Sequence, residues 1–395
     1  MLSAVQKMAP EPVGGRQGFV PALEGMRACA AIAVVLTHVA LQLGYYQGVA
    51  GRLLGRLDLS VAVFFALSGF LLWRGHAAAA RGLRSEPPMA PYLRSRFVRI
   101  LPAYWLSVFV VLLLLPDARN ADAGVWVANL TLTQIYLPHT LYAGLSQNWS
   151  LAVEMCFYLA VPTLAFVAAR LPVRTRVPVI IAVCVASFGW GYLPIPSYHD
   201  GNPLNWLPAY ASWFGTGMLL AEWTCEPRRW VHRLAERRVL LAAVALTAFC
   251  IAASPLLIPE VVTHGTVHQF IERTALGAVI AGALLAPLVL DRPGTSHRIL
   301  GSALMTTLGR WSYGLFLWHL AALDVVLSMV GRSGSSANVA IVSVVTVLFG
   351  FAVAAVSYAL VEEPCRIALR RWESRRKIGI QSPLAPGLLA ASQAA

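Results

Sequence analysis

The stretch Glu24-Gly25-Met26-Arg27-Ala28-Cys29-Ala30-Ala31-Ile32-Ala33-Val34-Val35-Leu36-Thr37-His38 sets a guanidinium and an imidazole at either end of an otherwise apolar run. On a helix, eleven steps of about 100° fall within about 20° of three full turns. Arg27 and His38 therefore share one face, roughly 16 Å apart along the axis. A neutral imidazole takes up a proton near pH 7 and is the commonest general base. Arg27 cannot act that way; its planar, permanently charged fork suits a carboxylate or a phosphate. The plainer readings are a polar bond to a neighbouring helix for His38 and a topology-marking charge for Arg27.

A second basic group follows in Tyr92-Leu93-Arg94-Ser95-Arg96-Phe97-Val98-Arg99, directly before Ile100-Leu101-Pro102-Ala103-Tyr104-Trp105. Arg96 and Arg99 are three apart and share a helix face. They read either as topology markers or as a clamp for an anionic molecule arriving from the cytosol. Glu154 lies inside the apolar run that begins at Trp149, and His319 inside the one that begins at Trp311. An ionisable group at such depth costs a few kcal/mol unless paired or wet. By depth arithmetic Glu154 and His38 lie level, so Glu154 is a candidate to orient the imidazole. For His319, a polar interhelix bond stands beside a catalytic role. Ser68, in Phe64-Phe65-Ala66-Leu67-Ser68-Gly69-Phe70, has no base at a readable spacing and reads as a small packing residue. The remaining acids near apolar runs are Glu222 and Asp324.

These groups must be carried by membrane helices. Of the 395 residues, 58% are hydrophobic and 12% charged, and the mean hydropathy is +0.65; soluble domains are about a quarter charged. The expected fold is an all-α membrane protein of about ten transmembrane helices. They are placed near 27–44, 58–75, 100–116, 149–169, 177–193, 205–223, 239–258, 272–290, 311–330 and 338–361. With the N-terminus cytoplasmic, 26 of the 31 Lys and Arg fall on the cytoplasmic side, and Arg52, Arg56, Arg119, Arg273 and Arg332 outside. That asymmetry puts both termini in the cytoplasm.

Residues 1–20 read as a cytoplasmic segment without the apolar core of a signal peptide, 21–370 as the ten-helix membrane domain, and 371–395 as a disordered cytoplasmic tail. Within the long external connection 117–148, Val125–Leu137 is too short and polar for a crossing and predicts a surface-lying or re-entrant element. The sequons at Asn129 and Asn148 read as coincidence. The net charge of +13 is spread between apolar runs instead of forming a basic domain, so no nucleic-acid partner is expected. The six cysteines are scattered without disulfide or metal-ligand spacing, and no metal is implied.

Six segments taken in order resemble the integral-membrane acyltransferase 3 family over about residues 20–370. They are Gly25-Met26-Arg27 with His38 after ten intervening residues, Phe64–Phe70, Arg96-Phe97-Val98-Arg99-Ile100-Leu101-Pro102, Trp149–Tyr158, Ser312–His319, and Val361-Glu362-Glu363-Pro364. The resemblance implies a multi-pass plasma (inner) membrane enzyme in the lipid bilayer. Such enzymes move an acyl group from acyl-coenzyme A (acyl-CoA), a co-substrate and not a resident cofactor, to a hydroxyl. The acceptor would be a cell-envelope glycan or glycolipid, or a secondary metabolite such as a macrolide. It makes His38 the essential histidine and Arg27 its partner, and associates Arg96 and Arg99 with the acyl donor. Arg94, in the same basic segment, is a candidate fourth arginine for the donor by its place alone. Glu154 and His319 complete the candidate catalytic set, and Tyr158, Tyr313, Trp318 and His319 are candidates to stabilise the oxyanion. From another class, a proton-coupled transporter or lipid flippase would also use mid-membrane His38, His319, Glu154 and Asp324. Against it stand the absence of paired halves and the crowding of arginines at one mouth.

Overall fold

A computed structural model describes residues 20–195, 202–226, 229–255, 266–291, 295, 297–330 and 339–381. All regular structure among them is helical. The α-helices are α1 (Pro21–Gln42), α2 (Gly48–Arg56), α3 (Ser60–Ala79), α4 (Met89–Leu114), α5 (Ala123–Leu130), α6 (Trp149–Ala168), α7 (Val173–Ser187), α8 (Ala211–Thr224), α9 (Arg229–Glu236), α10 (Arg238–Ala252), α11 (Val267–Val289), α12 (Ala303–Val330), α13 (Val339–Ser357) and α14 (Glu363–Gln381). The segment before Val20 and the tail beyond Gln381 lie outside the described residues. The tail expected from 371 begins inside α14.

Eight helical stretches are long and apolar enough to cross a membrane. The other two expected crossings, 205–223 and 239–258, fall on α8 and α10, which have 14 and 15 residues. At about 1.5 Å per residue these reach roughly 21–23 Å, short of a hydrocarbon core of about 30 Å. Prolines bound both: Pro208 opens a 3-10 turn, Leu207–Tyr210, ahead of α8, and Pro255 follows α10. The end of the 239–258 stretch lies outside the described residues.

The short element expected in 117–148 is the eight-residue α5, capped by the Asp122 side chain, which accepts from the Val125 amide. It folds back onto α4: the Tyr104 hydroxyl donates to the Asn129 carbonyl at 2.5 Å and the Trp105 indole to the Leu130 carbonyl at 3.0 Å. Asn129 and Asn148 are both 0% exposed, so neither sequon is accessible.

Helices α1, α3, α4, α6 and α12 surround the polar interior. On α7, by contrast, Val179, Ile181, Val183 and Val185 are exposed, as suits lipid contact. Two crossings depend on missing side chains. A Cβ on Gly217 would stand 1.8 Å from the Ala66 carbonyl oxygen, and one on Gly69 would stand 2.1 Å from that of Phe214, so α3 and α8 touch backbone to backbone. Likewise a Cβ on Gly25 would meet the Leu300 carbonyl at 2.1 Å and one on Gly309 that of Glu24 at 2.1 Å. The starts of α1 and α12 are thereby pinned together, and the two helices run parallel.

Beneath the α3–α8 crossing, Glu222 is 0% exposed. Its carboxylate accepts from the Trp73 indole at 2.7 Å, Arg176 Nε at 2.9 Å and Arg81 Nη1 at 2.6 Å. Removing one member of such a cluster strands buried charge, typically costing about 3–5 kcal/mol. Glu222→Ala is accordingly expected to lower unfolding stability in detergent by about that amount. Glu222→Leu combined with Arg176→Met should recover part of the loss, because the remaining arginine, Arg81, keeps Glu226 as a partner at 3.0 Å.

Candidate active site

Helix α1 carries Arg27, Val34 and His38 on one face, and α12 carries Ser312, Tyr313, Phe316 and His319 on the face opposed to it. Between them, closed by α3, α4 and α6, lies a cavity of about 70 Å³. Arg27 and Arg99 line one part of it; Ser68, Glu154 and Tyr158 line another; Val34 and Phe316 line the part that leads toward His38.

His38 and His319 meet 281 positions apart in sequence. Their ring centroids are 4.9 Å apart, edge to face. His38 Nδ1 lies 2.8 Å from the Val34 carbonyl oxygen and His319 Nδ1 lies 2.7 Å from that of Phe316. A carbonyl can only accept, so each ring carries its proton on Nδ1. The lone pair on His319 Nε2 then faces the His38 Nδ1–H at 3.3 Å. His38 is left with an unprotonated Nε2 that has no hydrogen-bond partner among the described residues, which is what a general base requires. His319 is 0% exposed, and its geometry is that of a ring holding its neighbour's tautomer.

Glu154 does not bond to His38. Its Oε1 accepts from the Ser68 hydroxyl, and from the Tyr158 hydroxyl at 2.5 Å. These bonds tie α6 to α3 at the cavity wall. The carboxylate is turned toward α3, and the group on α1 within its electrostatic reach is Arg27. The carboxylate that acts on His38 electrostatically is Asp58, just before α3. It is held 2.7 Å from Arg273.

The arginines divide. Arg27 bonds Glu24 one turn back at 3.0 Å and still reaches the cavity. Arg27 and Arg96 each lie within electrostatic reach of Arg99, Glu154 and Tyr158. Arg96 Nε is buried without a hydrogen-bond partner, and Arg99 is in the cavity wall. These three form a convergent positive mouth. Arg94 is apart: it bonds Glu373 at 2.7 Å and its guanidinium lies 4.5 Å over the Trp372 ring, tying α4 to α14.

Of the oxyanion candidates, Tyr158 donates to Glu154, and Tyr313 to the Ile100 carbonyl at 2.9 Å. Trp318 lies about 200° around α12 from Phe316, on the far side from the cavity. Two residues have a place at the site that sequence reasoning did not give them: Ser68, read as a packing residue, and Glu362, read only as part of a motif. Ser68 finds its acceptor 86 positions away, beyond any local signal. Glu362 closes a π-helical turn, Tyr358–Glu362, and is 5% exposed with Oε1 lacking a partner; it acts electrostatically on Tyr313. Pro364 explains the turn, since it has no N–H to give the carbonyl four residues back. The pair of acids ahead of that proline was the available signal.

Parallel apolar helices enclosing an imidazole with a free ring nitrogen, beside an arginine-lined cavity, define a polyhelical membrane protein with polar chemistry in its interior. The family model described as "Acyltransferase domain", that of the acyltransferase 3 family, matches residues 20–361, and the chain belongs to that family. The chain is an acyltransferase. Acyltransferase MdmB of Streptomyces mycarofaciens is 26% identical over 89% of this chain and 93% of its own length. Exopolysaccharide production protein ExoZ of Rhizobium meliloti is 27% identical over 87% and 96%. O-acetyltransferase OatA of Staphylococcus aureus is 23% identical over 88% of this chain and 57% of its own length. No solved structure matches the chain.

Proposed function

We propose that this protein is an O-acyltransferase that moves an acyl group from acyl-CoA to a hydroxyl of a cell-envelope glycan or glycolipid, with His38 as general base. The single observation that carries the reading is the free Nε2 of His38, set by the Val34 carbonyl and placed just past the cavity that Arg27 and Arg99 line. Arg27, Arg96 and Arg99 hold the phosphates of the donor, and the pantetheine arm spans the roughly 16 Å from Arg27 to His38. His38 Nε2 takes the acceptor hydroxyl proton as the oxygen attacks the thioester carbonyl. The tetrahedral intermediate collapses with loss of the C–S bond, and the imidazolium returns the proton to the departing thiolate. The products are an ester and free coenzyme A. Glu154, through Ser68 and Tyr158, holds the cavity wall in shape. The names of ExoZ and OatA, an exopolysaccharide production protein and an O-acetyltransferase, support an envelope glycan and an oxygen acceptor.

The same reading has ten crossings of the inner membrane with both termini cytoplasmic. The 3-10 turn Leu207–Tyr210 adds about 8 Å to α8, bringing it to roughly 29 Å, close to a full crossing.

The test is release of coenzyme A from radiolabelled acetyl-CoA by purified protein. Arg96→Ala combined with Arg99→Ala should weaken coenzyme A binding about tenfold or more per arginine, since a charge-assisted bond contributes roughly 1.5–3 kcal/mol. A parent protein that neither binds nor cleaves the donor across several acyl chains overturns the proposal and makes transport the reading to pursue.

A further inference from the structure

Charge asymmetry assigns only five arginines to the outer side, and three of them gather at one place: Arg56 lies within electrostatic reach of Arg52, Arg273 and the single carboxylate of Asp58. Topology does not ask for them there, since positive charge marks the cytoplasmic side. They come from separate elements. Arg52 and Arg56 belong to α2, Arg273 to the second turn of α11, and Asp58 to the turn between α2 and α3. The Thr37 hydroxyl donates to the Gly55 carbonyl at 2.9 Å, which fastens the end of α2 to α1 beside His38. Thr37 is ten residues past Arg27, about 15 Å along α1, so this cluster is separate from the arginine mouth.

One arginine suffices to neutralise Asp58. Arg273 Nη2 does so at 2.7 Å from Asp58 Oδ2, whereas Arg56 stands 3.8 Å from the same oxygen, beyond hydrogen-bond distance. Arg56 is nonetheless 4% exposed, and its guanidinium donates no hydrogen bond among the described residues. Arg273 Nε and Asp58 Oδ1 are also buried without partners. A guanidinium taken out of water without acceptors is strongly unfavourable, and this one also lies against two like charges. The surroundings intensify its field. Tyr210, within electrostatic reach of Arg273 and Asp58, packs against the rings of Trp149, Trp213 and Phe270, so little water screens the charges. The Arg273 side chain is 30% exposed, which leaves the cluster within reach of a ligand.

We infer that Arg56 and Arg273 bind the phosphate of a phosphate ester at the His38 end of the bundle. The phosphate oxygens accept from the Arg56 fork and from Arg273 Nε, and a hydroxyl next to the phosphate donates to Asp58 Oδ1. A phosphate offers more acceptors than a carboxylate, and two guanidiniums on different helices converge on it as their planar forks favour. The charge of Arg56, which no carboxylate bonds, is balanced by the ligand. A lipid headgroup and a soluble phosphate ester both present this chemistry. The assignment holds whether or not acyl-CoA is the donor.

The experiment titrates the full-length protein, exchanged into neutral detergent, with short-chain phosphatidylglycerol, with glycerol 3-phosphate, or with dioctanoylglycerol, which lacks the phosphate. Thermal unfolding is followed through tryptophan fluorescence. Both phosphate compounds should raise Tm by mass action, and dioctanoylglycerol should not. A tighter Kd for the lipid identifies a headgroup as the source, and equal Kd values identify a soluble ester. Arg56→Gln should weaken binding about tenfold or more. Without ligand its Tm should be unchanged or higher, because an unbalanced charge has been removed. Arg56→Lys, which keeps the charge but not the fork, should bind with intermediate affinity. Arg96→Ala combined with Arg99→Ala, at the other mouth, should respond as the parent does. The assignment is overturned by a Tm that neither phosphate compound moves, by a response kept in Arg56→Gln, or by one lost in the Arg96 and Arg99 variant. It is equally overturned if Arg56→Gln without ligand loses several degrees or does not fold, since Arg56 is then a structural partner of Asp58.

Discussion

His38→Gln leaves coenzyme A binding intact and lowers acyl transfer by about 10²–10⁴-fold, the usual contribution of a positioned general base. Glutamine keeps a polar side chain against the Val34 carbonyl and His319 but offers no basic lone pair at the position of Nε2. The loss should fall on kcat, because the arginine mouth proposed to hold the donor is a separate surface lined by Arg27 and Arg99. In the parent, the rate should rise with pH until His38 is fully neutral, since only the unprotonated ring can accept the hydroxyl proton. In the variant that limb of the profile should vanish. Binding isotherms for coenzyme A together with kcat across pH check both statements. A variant with wild-type kcat would remove His38 from the chemistry and leave the family assignment standing.

Gly217→Leu is expected to disrupt the fold around the site without altering a single site residue. Its Cβ alone would lie 1.8 Å from the Ala66 carbonyl oxygen and 2.6 Å from the Phe70 amide nitrogen, both backbone atoms that no rotamer change can move aside. Helices α3 and α8 must separate, and overpacking of this kind costs about 1–3 kcal/mol or more. Helix α3 also carries Ser68, which ties Glu154 to the cavity wall, and Phe65, stacked on Phe214 at 4.4 Å. Stability and activity should therefore fall together. Gly282→Ala provides the control: its nearest neighbour is the Thr216 methyl at 3.3 Å, a side-chain atom able to yield. Thermal unfolding in detergent, followed through tryptophan fluorescence, should separate the two variants by many degrees.

The contrast between those two residues marks how far the chain could be read. The shared face of Arg27 and His38 follows from helical periodicity over eleven residues, and both project as that arithmetic requires. The apolar runs located eight helices of crossing length. Two further runs were correctly read as apolar, but prolines near their ends shorten the helices, a length that composition alone does not set. For Glu154 the sequence indicated depth and the need for a partner. It could not say that the partners would be Ser68 and Tyr158, because one of them lies 86 positions away on another helix. Arg94 looked equivalent to Arg96 and Arg99 in one basic segment. It points instead to Glu373 on α14, because residues two apart on a helix face in very different directions.

What the sequence by itself determined is therefore what is local: the membrane as solvent, the helices, the faces that carry Arg27, His38, Arg96 and Arg99, and the family. Only the tertiary structure decided which face meets which. The backbone contacts at Gly25, Gly69, Gly217 and Gly309 set how α1 meets α12 and how α3 meets α8. From those contacts follow the His38–His319 pair, the tautomer that frees Nε2, and the cavity that Arg27 and Arg99 line. The physical reason is that helical periodicity acts within a few turns of one chain segment, whereas the packing of small residues joins segments hundreds of positions apart.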